Sequence, residues 1–214
     1  IGQAEFCPTM IGSAQYAVKW TIEELGLDSF EPGDVVIHND PYRGQCHMPE
    51  HMVLKPVFFG KELRFFVANI AHVGEIGGMA PGSFAADATE VYQEGLRLPP
   101  IKIMSRGEYV KDVWKIILSN HRTPKSSWGD LHAMIAFSTS WNSSRHTAGD
   151  EMLREIKALG VDLIELGHGI RISLMPGIQK MFDAGEVRFS SLPNYYPLPG
   201  ETMPASPDCS AFSV

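Results

Sequence analysis

Two runs rich in Val, Ile and Phe, residues 52–59 and 63–73, are separated by little more than Gly60-Lys61. Branched and aromatic side chains suit a pleated, half-buried surface, and so short a connection leaves room only for an antiparallel hairpin. The first half of the chain must therefore build a sheet around that pair. Ahead of it, Ala14, Ala17, Val18, Ile22 and Leu25 recur at helical spacing, with Ser13 as a candidate cap and Gly26 as a stop. Glu31-Pro32-Gly33-Asp34 reads as a turn and Val35-Val36-Ile37 as a short strand. Glycines crowd residues 74–82, which read as a loop. Val110, Val113, Trp114 and Ile117 then mark an amphipathic helix that ends before Pro124.

Beyond Met134 the pattern changes. Residues 135–139, 161–166 and 187–192 read as strands. Between them, one helix capped by Asp150 carries Met152, Leu153, Ile156 and Leu159, and another near Pro176 carries Ile178, Met181 and Phe182. Short loops in such a β-α-β-α-β series imply parallel strands with right-handed crossovers. Residues 193–214 hold many Pro and Ser and no periodicity, so a loop or disordered tail is expected. The fold class expected is α/β: a mixed α+β segment over residues 1–134, then a parallel βαβαβ unit over 135–192.

Composition narrows the setting. Cys7, Cys46 and Cys209 lie far apart with no C-x-x-C pair, which suits a reducing cytosol better than a disulfide scaffold. The net charge is −7 and the cations are scattered, which argues against a nucleic-acid surface. No run approaches the roughly 18 apolar residues of a membrane span, and no signal peptide is visible. A soluble cytoplasmic protein is expected.

The densest polar stretch is His38-Asn39-Asp40-Pro41, followed by Gly44-Gln45-Cys46-His47-Met48-Pro49-Glu50-His51; Ala71-His72-Val73-Gly74-Glu75 ends the hairpin. Imidazole nitrogen with carboxylate oxygen suits Zn, Mn or Fe, and the thiolate pairs of a structural zinc site are missing. His47 and Glu50 are three apart around a proline, where a turn could aim both at one point, and His72 sits on a strand that could return beside them. Three protein ligands with open positions would be a catalytic arrangement. The plainer reading is that these groups satisfy loop backbone. His38 and His51 are lesser candidates, because neighbouring strand residues face opposite ways. Cys46 beside His47 could be a nucleophile with its base, although sequence neighbours rarely have that geometry. Asp40 is either a turn former or a partner for a ligating imidazole. The loop 74–82 lacks the spacing of a P-loop and is read as closing over the site.

His38-Asn39-Asp40-Pro41 with Gly44 and His47-Met48-Pro49-Glu50 resembles the signature of hydantoinase B/oxoprolinase proteins. Gly82-Ser83, Asp87-Ala88-Thr89-Glu90 and the run Tyr92 to Pro100 resemble that family's next block, and Asn120, Arg122, Pro124, Gly129 and Asp130 a later one. The resemblance covers residues 1 to about 134. It implies a subunit of an ATP-dependent hydantoin- or lactam-opening amidohydrolase, or of a ketone carboxylase, acting on a small cyclic amide or ketone. It also implies a hydantoinase A-type partner that supplies ATP, and a divalent metal held by His47, Glu50 and His72. Asp40, Glu75 and Arg122 become candidates for supporting the ligands or meeting substrate. Gln45, Glu50, Val73 and Glu75 depart from the family's usual glycine, aspartate, second histidine and aspartate, which leaves the substrate class open.

Phe137-Ser138-Thr139-Ser140-Trp141-Asn142-Ser143, Glu165-Leu166-Gly167-His168-Gly169-Ile170-Arg171 and Val187-Arg188-Phe189-Ser190-Ser191 resemble the opening strands of a xylose-isomerase-like TIM barrel. Such a barrel carries its active groups at the C-terminal ends of strands, which points to His168 and Asn194, although Pro193 replaces the histidine expected beside Asn194. Three of eight strands make an incomplete barrel with open edges. The two resemblances meet near Met134, in the manner of a fusion. The rival readings are a non-catalytic truncated assembly module and a sugar isomerase or epimerase activity in the second half.

Overall fold

A computed structural model describes residues 8–138, 142–158, 161, 163–166 and 170–191, and the chain divides after Met134 into two compact units. The first unit opens with helix α1 (Pro8–Leu25), which begins five residues earlier than the apolar spacing predicts. Thr21 and Ala17 lie on its buried face, and the Thr21 hydroxyl donates back to Ala17 O at 2.9 Å. Against that face lies a five-stranded antiparallel sheet of order β3-β2-β1-β4-β5. Its strands are β1 (Val35–His38), β2 (Glu50–Phe59), β3 (Glu62–His72), β4 (Ile101–Ser105) and β5 (Glu108–Tyr109). Ala17, Phe30, Val36, Met52 and Leu54 form the core between helix and sheet, with Phe66 edge-on to Phe30 at 5.0 Å. Burying each such side chain contributes about 1.5–3 kcal/mol.

The hairpin β2–β3 follows the sequence closely: Phe59 pairs with Glu62 across a two-residue turn, and ten pairs run down to Glu50 opposite His72. One irregularity interrupts it between Val57 and Phe58, where β3 holds one residue more than β2. The β4–β5 hairpin was not visible in the sequence reading. It turns through Arg106 and Gly107, both at positive φ, as a two-residue hairpin turn needs. Asp34 anchors it: its wholly buried carboxylate accepts from Lys102 Nζ at 2.7 Å and from the N–H groups of Arg106 and Glu31 at 3.0 Å. Burial opposes its ionisation, but Lys102 and the two N–H groups outweigh that and hold its pKa below the usual value.

Helix α2 (Lys111–Asn120) buries Trp114 and Ile117, and the Trp114 indole donates to Ile103 O at 2.9 Å. The sequence reading ends the helical structure here. The structure adds a further helix, α3 (Pro124–Ile135), so Ile135 closes a helix instead of opening a strand. Trp128 and His132 of α3 stack at 3.7 Å and join Tyr109 and Trp114 in an aromatic cluster.

The second unit contains a parallel three-stranded sheet, β6-β7-β8, as its β-α-β-α-β pattern predicts. The elements are β6 (Phe137–Ser138), α4 (Gly149–Ala158), β7 (Leu163–Glu165), α5 (Met175–Asp183) and β8 (Arg188–Ser191). Asp150 lies inside the first turn of α4 and does not cap it from outside. Met152, Leu153, Ile156, Ile164, Ile178 and Met181 belong to this unit's own core. The tail 193–214 lies outside the described residues. Among the described residues no helix is long and apolar enough to cross a membrane.

Candidate functional site

The polar stretch after β1 folds as a series of tight turns, each fixed by a side chain. Asp40 caps the short 3-10 turn Pro41–Arg43: its Oδ1 accepts from Tyr42 N–H at 3.0 Å, and its Oδ2 pairs with Arg43. It is thus a turn former, paired with Arg43 and, at 3.9 Å, with Arg97. Gly44 follows at φ 94°, with its Cα pressed on α1 so closely that an added Cβ would stand 2.6 Å from Ala17 N. Asn39, wholly buried, ties this stretch to a distant one. Its amide donates to Met48 O at 2.7 Å and to Leu96 O at 2.8 Å, while its Oδ1 accepts from Leu98 N–H at 2.6 Å. The sequence alone gives Asn39 no role. No pattern signals it, because its partners are main-chain groups up to 59 positions away.

These turns deliver His47 to the end of the hairpin. Glu50 N–H donates to His47 O at 3.2 Å and Val73 N–H to Pro49 O at 2.8 Å, so the turn 47–50 continues the β2–β3 ladder. Glu50 and His72 are cross-strand partners, and directly paired residues project from the same face. The structure therefore brings together the three residues singled out as ligands. His47 Nδ1 stands 3.6 Å from Glu50 Oε1, and the His47 and His72 ring centroids are 5.1 Å apart. Phe84, unremarked in the sequence, stacks flat on His72 at 5.3 Å and meets His47 edge-on at 6.3 Å. Partial burial, then the neighbouring His47, push the His72 pKa down. His47 Nδ1 and Glu50 Oε2 are buried without a hydrogen-bond partner. Orphaned nitrogen and oxygen donors of this kind suit a borderline divalent metal or a bound polar ligand. Among the described residues, however, no three His, Cys, Asp or Glu side chains converge closely enough to hold an ion.

The remaining candidates fall into distinct places. Glu75 is buried and clasps the glycine-rich loop: Oε2 accepts from Gly82 N–H at 3.0 Å, and Oε1 from Gly77 N–H and from Arg122 Nη1 at 3.1 Å. Burial resists its charge, yet these donors hold its carboxyl below the usual range. Arg122 also donates to Gly78 O and Ala80 O, so the two residues set the loop's shape. His38 and His51 are wholly buried, and desolvation pushes their pKa values down to about 4 and about 3. Cys46 is exposed and turns its thiol to Thr9 O at 3.6 Å. His168 and Asn194 lie outside the described residues.

Comparison with known proteins supplies a lineage for this geometry. A model of the hydantoinase B/oxoprolinase family matches residues 1–148. An uncharacterised protein of Methanocaldococcus jannaschii is 44% identical over 138 residues, 64% of this chain and 24% of that one. The beta subunit of a caprolactamase from Pseudomonas jessenii is 37% identical over 131 residues, 61% of this chain and 22% of the subunit. The crystal structure of that ATP-dependent caprolactamase matches with a TM-score of 0.57 at 38% identity, over 60% of this chain and 22% of that one. A nucleotide-free acetone carboxylase shares the fold at 23% identity, with a TM-score of 0.51 over 56% of this chain and 16% of that one. The chain thus spans about a quarter or less of the length of these relatives. No sugar isomerase stands among them, so the barrel resemblance of the second half gains no support here. With two-thirds of its length matched by one family model, the chain belongs to the hydantoinase B/oxoprolinase family.

Proposed function

We propose that this chain is part of a cytoplasmic subunit of an ATP-dependent enzyme that opens a small cyclic amide, and that His47, Glu50 and His72 draw together on a divalent metal when it binds. The observation that carries the reading is the pairing of Glu50 with His72 beside His47, with His47 Nδ1 and Glu50 Oε2 buried and unpartnered. Likeness to the caprolactamase subunit supports the reaction class, and the name of that enzyme supports the use of ATP. A hydantoinase A-type partner would bring the nucleotide, since residues 74–82 lack P-loop spacing. The fold shared with acetone carboxylase favours ketone carboxylation as the second reading.

A divalent metal at this site, when bound, would polarise a carbonyl or phosphoryl oxygen as a Lewis acid. The chain's own residues prepare the place. Asn39 fixes the backbone that carries His47. The hairpin register sets Glu50 against His72, and Phe84 shields one face of the His72 ring from water. Glu75 and Arg122 hold the following loop in one shape. No activity is assigned to the second unit.

Metal content of the purified chain, read by plasma mass spectrometry beside a His72→Ala variant, tests this directly. About one Zn, Mn or Fe per chain, lost in the variant, is the expected result. Equal metal in both proteins, or none in either, would remove this ligand set from the proposal.

A further inference from the structure

Downstream of His72 the chain walls a cavity of about 410 Å³, large enough for a small organic ligand. Its lining includes Gly77, Gly78, Gly95, Tyr92, Arg97 and Asn120. The three glycines have positive φ, and each is pressed backbone to backbone. A Cβ on Gly77 would stand 2.7 Å from Asn120 O, one on Gly78 2.7 Å from Glu94 O, and one on Gly95 2.7 Å from Ile76 O. No side chain fits at these points, so that part of the wall is bare peptide.

Four of the wall's carbonyl groups are already engaged. Ile76 O accepts from Leu96 N–H at 2.8 Å, Gly77 O from the Ser83 hydroxyl at 3.2 Å, Gly78 O from Arg122, and Leu96 O from the Asn39 amide. A ligand there finds these four acceptors already taken. It meets one cation, Arg97, whose guanidinium lies 5.5 Å from the Tyr42 ring centroid and 5.6 Å from that of Tyr92. Arg97 Nε forms a loose ion pair with Asp40 Oδ2 at 3.9 Å, beyond hydrogen-bond distance, and that oxygen is also paired with Arg43. Two tyrosine rings flank the guanidinium, and with Asp40 beyond hydrogen-bond distance its fork of donors can still meet a planar or tetrahedral oxyanion.

We propose that this cavity binds the oxyanion end of a small ligand, a phosphoryl or carboxylate group, with Arg97 as the recognising cation. The inference goes beyond the metal reading and uses none of its ligands. The test is titration of the full chain with inorganic phosphate, and separately with acetate, at constant ionic strength, followed by NMR at the Gly78 and Gly95 amides and at Arg97 Nε–H. Saturable shifts at these groups are expected with at least one anion. Tighter phosphate binding would assign a phosphoryl group, and tighter acetate binding a carboxylate. Arg97→Met should weaken binding by about tenfold or more, the scale of one charge-assisted pair, and Arg97→Lys by less. Arg64→Met, which removes an exposed cation on the hairpin, should leave it unchanged. Absence of saturation with both anions up to tens of millimolar, or equal affinity in Arg97→Met, would overturn the proposal. Should Arg97→Met fail to fold, the wild-type titration decides alone.

Discussion

Asn39 shows what a single buried amide can hold in place. Its three side-chain hydrogen bonds join the turn that carries His47 to the strand-like run at 96–98. Asn39→Ala would leave two carbonyls and one N–H without partners in a dry interior, so a loss of roughly 3 kcal/mol is expected. Urea unfolding of the variant beside the parent chain would measure it. His38 makes a second prediction. Its pKa is pushed from an ordinary 6.5 down to about 4 because burial penalises the charged ring. The folded state therefore keeps His38 neutral while the unfolded chain takes up a proton below about pH 6.5. Stability from this group is full above that pH and falls by roughly 3 kcal/mol on reaching pH 4. Unfolding midpoints measured between these pH values should fall steeply, and His38→Gln should flatten part of the slope. At this scale the sequence was legible by residue type. Histidines and an acid around a proline and at a strand end gave His47, Glu50 and His72 as one set. Phe84 and Asn39 were not legible, because a ring stacked from a later loop and an amide aimed at remote carbonyls leave no local trace.

Among the elements, the long hairpin and both helices of the second unit follow directly from period-2 and period-3.6 patterning. The elements missed carried weaker signals. Ile101 to Met104 is short for a strand, yet Arg106-Gly107 is a two-residue turn ending in glycine, a recognised hairpin cue. Helix α3 opens at Pro124 directly after Thr123, a threonine before proline at the first helical position. Reading Pro124 as the end of one helix concealed its part in starting the next. The small hairpin depends on Asp34, whose carboxylate ties Lys102 of β4 and Arg106 of the turn to Glu31 of the preceding loop. Asp34→Ala should cost roughly 2 kcal/mol, since two N–H groups lose their acceptor and the half-buried Lys102 ammonium loses its carboxylate. Hydrogen exchange would locate the damage: faster exchange confined to residues 31–34 and 101–110 is expected, with α4 and α5 unaffected.

For the molecule as a whole, the significant fact is that each compact unit has its own apolar core. Units built in this way open independently, and a protease finds the chain between them before it finds either core. Limited digestion is expected to cut first near the division after Met134 and to leave a resistant fragment from each side, read by intact mass. Digestion that proceeded evenly along the chain would show that neither unit is stable by itself. The family match runs to residue 148, past the division at Met134. The change in sequence style at Met134 therefore marks a change of architecture, from an antiparallel sheet to a parallel one, inside the span that one family model matches.

The irregularity between Val57 and Phe58 has a consequence for lineage. Near the turn the pairs are Phe59 with Glu62 and Phe58 with Leu63; from Val57 with Phe65 onward every pair is offset by one, and Arg64 is the surplus residue. A chain without Arg64 would carry a regular hairpin from turn to end, and Glu50 would still face His72. The hairpin thus keeps one residue of slack seven pairs away from the point where alignment matters. Descendants of this chain can gain or lose a residue there, change the twist of the exposed end, and pass on the same opposition of carboxylate and imidazole.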